Sequence, residues 1–134
     1  MLLHQVVFWD RLPAIKKKLE ALGHEVRLPS TVNDPELEDR TWQKSDEAHV
    51  KLIRKLFEDS EERVGKWCEA IYLMNYEKHD TPGYVGGAAL IELYIAHRER
   101  KKIFIENDIY PSLMYDEIMG FGPTFIHGDL KRIK

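Results

Sequence analysis

The sequence has little cysteine and no long apolar run, and each absence removes a class of protein. Cys68 is the only cysteine among the 134 residues, so no disulfide can form within the chain. No Cys/His cluster has the spacing of a zinc site, and we expect no metal. No apolar run approaches the roughly 20 residues that span a bilayer. We therefore expect a protein of a reducing cytoplasm with no membrane partner.

The sequence also lacks an excess of basic charge. Its formal net charge is −3, from 20 Lys and Arg and 23 Asp and Glu. This balance gives no long-range attraction for polyanions, so nucleic acid is not expected as a partner. The 43% of hydrophobic residues and 32% of charged residues are typical of a globular protein. The length fits a single domain over residues 1–134.

Helical and strand patterns alternate along the chain. Apolar residues at helical spacing, or in an Ala- and Leu-rich run, predict helices over residues 12–22, 45–66, 88–96 and 111–120. Alternating or continuous apolar runs predict strands over residues 24–29, 70–75, 102–107 and 123–128. This order favours a parallel sheet between helices. Ligands of such sheets bind beyond the carboxyl ends of the strands, which selects the loops after Asn75 and Asn107.

Glu92 is the only charged residue in the apolar helix predicted over residues 88–96. Burying a carboxylate without partners costs several kcal/mol. Two interpretations follow. Glu92 is a reactive group at the wall of a cavity, or it is a structural carboxylate paired with Arg98, Arg100 or backbone groups. The glycine-rich segment 83–87 before the helix fits a ligand loop and an ordinary helix entry equally well.

Three segments of the chain resemble the nucleoside 2-deoxyribosyltransferase-like superfamily, which includes deoxynucleoside monophosphate N-glycosidases. They are residues 19–26, residues 70–78, and residues 83–96 followed by Lys101, Lys102 and Ile103. The most specific element runs from Gly86 and Gly87 through Glu92 to Ala96. The fold expected from pattern and resemblance together is α/β, a flavodoxin-like (Rossmann-like) three-layer sandwich with a mostly parallel sheet of four to five strands.

The resemblance implies that Glu92 is a nucleophile that attacks the anomeric carbon of deoxyribose. A carboxylate suits this role because it stabilises or traps an oxocarbenium-like state. The leaving base needs a proton from an acid. The candidates for the acid, in order, are Glu69, Asp80, Glu77 and His79. Glu69 stands where the family has an Asp at the start of a strand.

The expected function is cleavage or transfer of the N-glycosidic bond of a deoxynucleoside or its 5′-monophosphate, without metal or organic cofactor. The alternative is a non-catalytic nucleotide-binding or scaffolding dimer of the same fold. The resemblance implies a homodimer or higher homo-oligomer in either case. Tyr76 and Tyr84 either stack on a nucleobase or pack locally. The predicted substrate-binding residues are Asn75, Tyr76, Tyr84, Gly86 and Gly87.

Overall fold

A computed structural model describes the backbone of residues 2–4 and the whole of residues 12–28, 43–77, 80–111 and 114–134. Its strands pair in parallel in the order β1-β2-β3-β4. The strands are β1 (Leu2–His4), β2 (Ala70–Leu73), β3 (Lys102–Ile105) and β4 (Thr124–Phe125). The predicted α/β class with a parallel sheet is confirmed. The flavodoxin-like layering and the full strand number stay predictions.

The helices of the described residues alternate with these strands. They are α1 (Leu12–Ala21), α2 (Asp46–Ser60), α3 (Gly87–Arg98) and α4 (Tyr115–Gly120), with a 3-10 turn at Leu130–Arg132. The Ser45 side chain accepts a hydrogen bond from the Ala48 N–H at 3.0 Å and so caps the start of α2. The helix predicted over residues 45–66 does not stay α-helical to its end. It widens into a π-helical segment, Glu61–Trp67.

The strand predicted over residues 24–29 is absent from the described part of that segment. Residues 24–28 contain a single bridge position, at Arg27. Side-chain contacts hold the segment instead. The Arg27 guanidinium lies 4.9 Å from the centre of the Trp67 ring, and His24 Nε2 donates to the Ile133 carbonyl at 3.2 Å. Alternation of polar and apolar residues indicates only which side chains are buried. An extended loop that packs on the core shows the same alternation as a strand, so the pattern does not distinguish the two.

The buried core forms two clusters that use alternate residues of β2. Ile71 and Leu73 belong to the cluster that contains Leu93 of α3. Tyr72 belongs to the other cluster, which contains Leu12 of α1. Because alternate residues of a strand point to opposite faces, α3 and α1 pack against different sides of β2. Glu92 is therefore on the side of the sheet where α3 packs.

The loops that follow β2 and β3 are tied together. Asn75 Nδ2 donates to the Asn107 carbonyl at 2.8 Å, and the Asn107 N–H donates to Asn75 Oδ1 at 2.7 Å. Gly83 has φ +65°, and a Cβ at this position would lie 2.2 Å from the Asp108 carbonyl oxygen. Only glycine fits there. The carboxyl edge of the sheet is thus a rigid platform from which α3 begins. No helix in the described ranges is long and apolar enough to cross a membrane.

Candidate functional site

The Glu92 carboxylate lies inside the protein, at the contact between α3 and the end of α2. Glu92 is 3% exposed. Ser60 Oγ donates to Glu92 Oε1 at 2.7 Å, and Arg63 Nη2 donates to the same oxygen at 3.3 Å. The predicted burial of Glu92 is confirmed. A cation and a hydroxyl offset the cost of burying its charge.

The two donors come from the junction where α2 ends and the π-helical segment begins. Ser60 is the last residue of α2, and Arg63 lies in the widened turn, where the Cys68 N–H donates to the Arg63 carbonyl at 3.0 Å, five residues back. The helices approach closely here. A Cβ on Gly65 would lie 3.5 Å from Cγ2 of Ile95. π-Helical turns are rare and frequently mark functional sites.

Arg63 is held between two carboxylates. Its side chain is 5% exposed, and its Nε donates to Asp59 Oδ2 at 2.7 Å while Nη2 donates to Glu92. Its buried Nη1 has no hydrogen-bond partner within the part of the chain that the structure describes. A guanidinium has donors in a fixed planar fork, so two bonds set its plane and a third donor group remains for another oxygen.

The ion-pair partner of Glu92 is Arg63, and not Arg98 or Arg100, the two cations of the structural interpretation. Arg98 Nη2 donates to Glu61 Oε2 at 2.6 Å, and Arg98 Nε donates to Glu99 at 3.1 Å. The hydrogen bond to Glu61 raises the pKa of Arg98 and lowers that of Glu61. Arg100 is exposed and has φ +58°. Arg98 follows Glu92 by six residues in α3, and its partner Glu61 is the first residue of the π-helical segment.

The residues predicted to supply the acid do not converge. Glu69 precedes β2 and so lies at the amino edge of the sheet, where it lines a cavity of about 330 Å³ with Trp67 and Lys102. Asp80 is exposed in the loop after β2, with φ +56°. Because ligands of parallel sheets bind at the carboxyl edge, this geometry places Glu69 at the opposite edge, whereas Asp80 is in a loop at the carboxyl edge. Glu77 is exposed in the same loop, and His79 lies outside the described residues.

The predicted substrate-binding residues lie along the carboxyl edge. Asn75 is fully buried and its amide bonds to backbone groups of the two loops. Tyr76 is half-buried beside the α1 cluster. Tyr84 lines an apolar cavity of about 280 Å³ together with Ile109 and Tyr110. Glu92 lines neither this cavity nor the one at the amino edge.

Gly86 and Gly87 begin α3 with ordinary negative φ values. A Cβ on Gly86 would make normal contact with Tyr84 at 3.6 Å, and no described atom lies within 4 Å of a Cβ on Gly87. The packing of the described residues does not require glycine at either position. Within the described residues, the space beside Gly87 at the start of α3 is therefore open.

A second buried carboxylate was missed. Glu106 follows β3 and is 7% exposed, and the Tyr72 hydroxyl donates a short hydrogen bond to its Oε2. Burial, reinforced by this hydrogen bond, raises the pKa of Tyr72 far above its usual value. A polar residue at the end of an apolar strand was the available signal, although nothing in the sequence distinguishes a buried carboxylate from a solvated one at that position.

Cys68 is a buried thiol, as expected for a structural cysteine. Burial raises its pKa, which disfavours the reactive thiolate. Among the described residues, no group of three or more His, Cys, Asp or Glu side chains could hold a metal ion.

Comparison of the chain with known proteins finds no match. No family model, no curated protein and no solved structure matches the chain.

Proposed function

We propose that this protein cleaves or transfers the N-glycosidic bond of a deoxynucleoside or deoxynucleoside 5′-monophosphate, with Glu92 as the nucleophile. The observation that carries the proposal is the setting of Glu92. It is a buried carboxylate in the second turn of α3, with a cation and a hydroxyl bonded to one of its oxygens. The resemblance to the nucleoside 2-deoxyribosyltransferase-like superfamily, centred on Gly86, Gly87, Glu92 and Ala96, supplies the substrate class.

The chemistry follows from how the carboxylate is held. Ser60 and Arg63 bond to Oε1 and so fix the plane of the carboxylate. Oε2 attacks the anomeric carbon of the sugar. A C–O bond to Glu92 forms as the C–N bond to the base breaks, and the base leaves with the bonding electron pair. Water or a second base then takes the sugar from Glu92 and restores the carboxylate.

The remaining roles belong to the carboxyl edge. Asp80, in the loop after β2, supplies the proton to the departing base, with Glu77 as the second candidate. Tyr84 or Tyr76 stacks on the base. Nη1 of Arg63, the buried donor described above, suits an oxygen of the sugar. No metal or organic cofactor takes part. The protein acts in a flavodoxin-like fold, in the cytoplasm, as a homodimer or higher homo-oligomer.

The test is release of free base from a panel of deoxynucleosides and their 5′-monophosphates, followed by chromatography. Glu92→Gln keeps the size and the hydrogen-bond acceptor but removes the nucleophile, so we expect base release to fall by about 10³-fold or more. Glu106→Gln is the matched control, because it changes another buried carboxylate and should retain most of the activity. Thermal melts of each variant check that it is folded. Release by Glu92→Gln at the parent rate refutes the proposal.

One observation favours the alternative of a non-catalytic dimer. Val50 and Phe57, two apolar residues on one face of α2, are 46% and 40% exposed. An apolar helix face that stays exposed suits a protein interface. A nucleotide that raises the melting temperature of the protein without any release of base would favour the binding module over the enzyme.

A further inference from the structure

We propose that Asp59 and Arg63 are positioning residues for Glu92, and that the Asp59–Arg63–Glu92 chain sets the angle from which the nucleophile attacks. This inference rests on the proposed function and deepens it. Neither Asp59 nor Arg63 belongs to the segments that carry the resemblance. Their assignment comes from the geometry at the α2 junction alone.

The first link of the chain joins residues one helical turn apart. Arg63 Nε donates to Asp59 Oδ2 at 2.7 Å, the (i, i+4) spacing that brings side chains together on a helix. The side chain of Asp59 is 32% exposed and that of Arg63 is 5% exposed. Asp59 therefore reaches in from the surface and fixes the plane of a buried guanidinium.

The second link transfers that orientation to Glu92. Arg63 Nη2 lies 3.3 Å from Glu92 Oε1, which is long for a charge-assisted bond, whereas Ser60 Oγ lies at 2.7 Å. Ser60 is thus the tight contact, and Arg63 is kept at its longer distance by the shorter bond to Asp59. Without Asp59, the guanidinium is free to close on Glu92 and pull its carboxylate out of line. Displacements of about 1 Å at a reacting group can cost as much as 10²-fold in rate.

The structure provides a matched control for the Asp59–Arg63–Glu92 series of hydrogen bonds. Glu61 and Arg98 form a second carboxylate–guanidinium pair across the same contact between helices, at 2.6 Å, with both side chains partly exposed. Glu61→Gln weakens the contact between the helices without touching Glu92. A merely structural role for Asp59 predicts similar behaviour for Asp59→Asn and Glu61→Gln. A positioning role predicts that they differ.

The experiment compares kcat and KM of base release for the intact protein and its variants. We expect Asp59→Asn to lower kcat about tenfold and Ser60→Ala to lower it about 10²-fold, each with KM nearly unchanged. Ser60→Thr, which keeps the hydroxyl, recovers most of the rate, and Glu61→Gln matches the parent. If Asp59→Asn and Ser60→Ala keep the parent kcat, or if Glu61→Gln falls as far as they do, the positioning inference is overturned.

A second readout separates this inference from the proposed function. The Arg63 Nε–H is buried and hydrogen-bonded, so its NMR signal should exchange slowly with solvent in the parent and in Glu61→Gln. Exchange should be at least tenfold faster in Asp59→Asn. A parent that releases no base from any substrate defeats the proposed function and, with it, the catalytic consequence of the chain. Unchanged exchange in Asp59→Asn shows that Asp59 does not hold the guanidinium, whether or not the protein is active.

Discussion

Two buried carboxylates in this protein are held in different ways. Glu92, in α3 on one side of the sheet, is 3% exposed and bonds to a guanidinium and a serine hydroxyl. Glu106, at the end of β3, is 7% exposed and accepts from the neutral hydroxyl of Tyr72. The side chain of Tyr72 belongs to the cluster with α1. One carboxylate accepts hydrogen bonds from a guanidinium and a serine hydroxyl, and the other accepts from a tyrosine hydroxyl.

The difference separates a site suited to chemistry from a structural one. Arg63 places a guanidinium 3.3 Å from a Glu92 oxygen, an arrangement that suits the proposed carboxylate nucleophile. The hydrogen bond between Tyr72 and Glu106 links the neighbouring strands β2 and β3 within the core. Substitutions at the two sites should therefore differ in size, in pH dependence and in where they loosen the protein.

The largest effect on stability should follow the loss of the Glu92 charge. Glu92→Ala leaves a buried cation with Asp59 as its remaining carboxylate and should lower the free energy of unfolding by about 3–5 kcal/mol. Replacing both members by apolar residues, in Glu92→Leu with Arg63→Met, should recover most of that loss. Urea denaturation measures both. A loss below about 1 kcal/mol for Glu92→Ala would show that the pair is not buried in solution.

A smaller loss is expected from the neutral pair. Tyr72→Phe removes the hydroxyl and leaves the Glu106 acceptor without that donor, so the free energy of unfolding should fall by about 1–3 kcal/mol. Tyr94→Phe, at a tyrosine that is 52% exposed, is the control and should be nearly neutral. Equal effects of the two substitutions would argue against a buried Tyr72–Glu106 bond.

The two regions should also respond differently to high pH. The pKa of Tyr72 is raised by burial first and by its bond to Glu106 second. The folded protein therefore keeps a proton on Tyr72 above pH ~10, where an unfolded tyrosine loses it. Stability is then lost as pH rises, because the folded state binds more protons than the unfolded state. Ionisation of Cys68 contributes to the pH dependence of both proteins. Once that common contribution is subtracted, urea midpoints measured up to pH ~10.5 should fall less steeply in Tyr72→Phe than in the parent. Parallel curves would contradict the raised pKa.

Cys68 gives the finest comparison, because it lies in the same core cluster as Leu93 of α3. Its Sγ donates to the Val64 carbonyl at 3.4 Å in the π-helical segment, and burial raises its pKa. Alkylation of the native thiol should therefore be slow. Ser60→Ala should speed it several-fold by loosening the nearby turn, whereas Tyr72→Phe should leave it nearly unchanged. Identical rates in the two variants would mean that the regions open together.

The sequence was sufficient for features that depend on one segment. The apolar surroundings of Glu92 predicted its burial, and the apolar runs at β2 and β3 predicted parallel strands. The partners of Glu92, in contrast, depend on the packing of two segments that are far apart in sequence. Ser60 and Arg63 read as ordinary polar residues of an amphipathic helix, and only the packing of α3 on the widened turn gives them a buried carboxylate to bind.

Glu69 and Glu106 illustrate two limits of prediction from sequence: one residue was selected without regard to the edge of the sheet on which it lies, and the other was missed. Glu69 was selected by its alignment with a family position, but it lies at the amino edge of the sheet. The amino edge follows from the position of Glu69 just before a strand that was predicted to be parallel. Nothing in the sequence marks Glu106 as buried, because a carboxylate at a strand end is usually solvated. What covers Glu106 is set by contacts between distant segments that no local pattern records.

The most direct test of the account is to trap the sugar on the protein. A 2-fluoro-2-deoxyarabinosyl nucleoside slows the reaction because fluorine destabilises the oxocarbenium-like state, so a covalent intermediate should accumulate. Intact-mass spectrometry should show one fluorosugar added to the parent and none to Glu92→Gln, and peptide mapping should place it on Glu92. A sugar found on another residue, or base released from the natural nucleoside with no trapped adduct at Glu92, would contradict the assignment of Glu92 as the nucleophile.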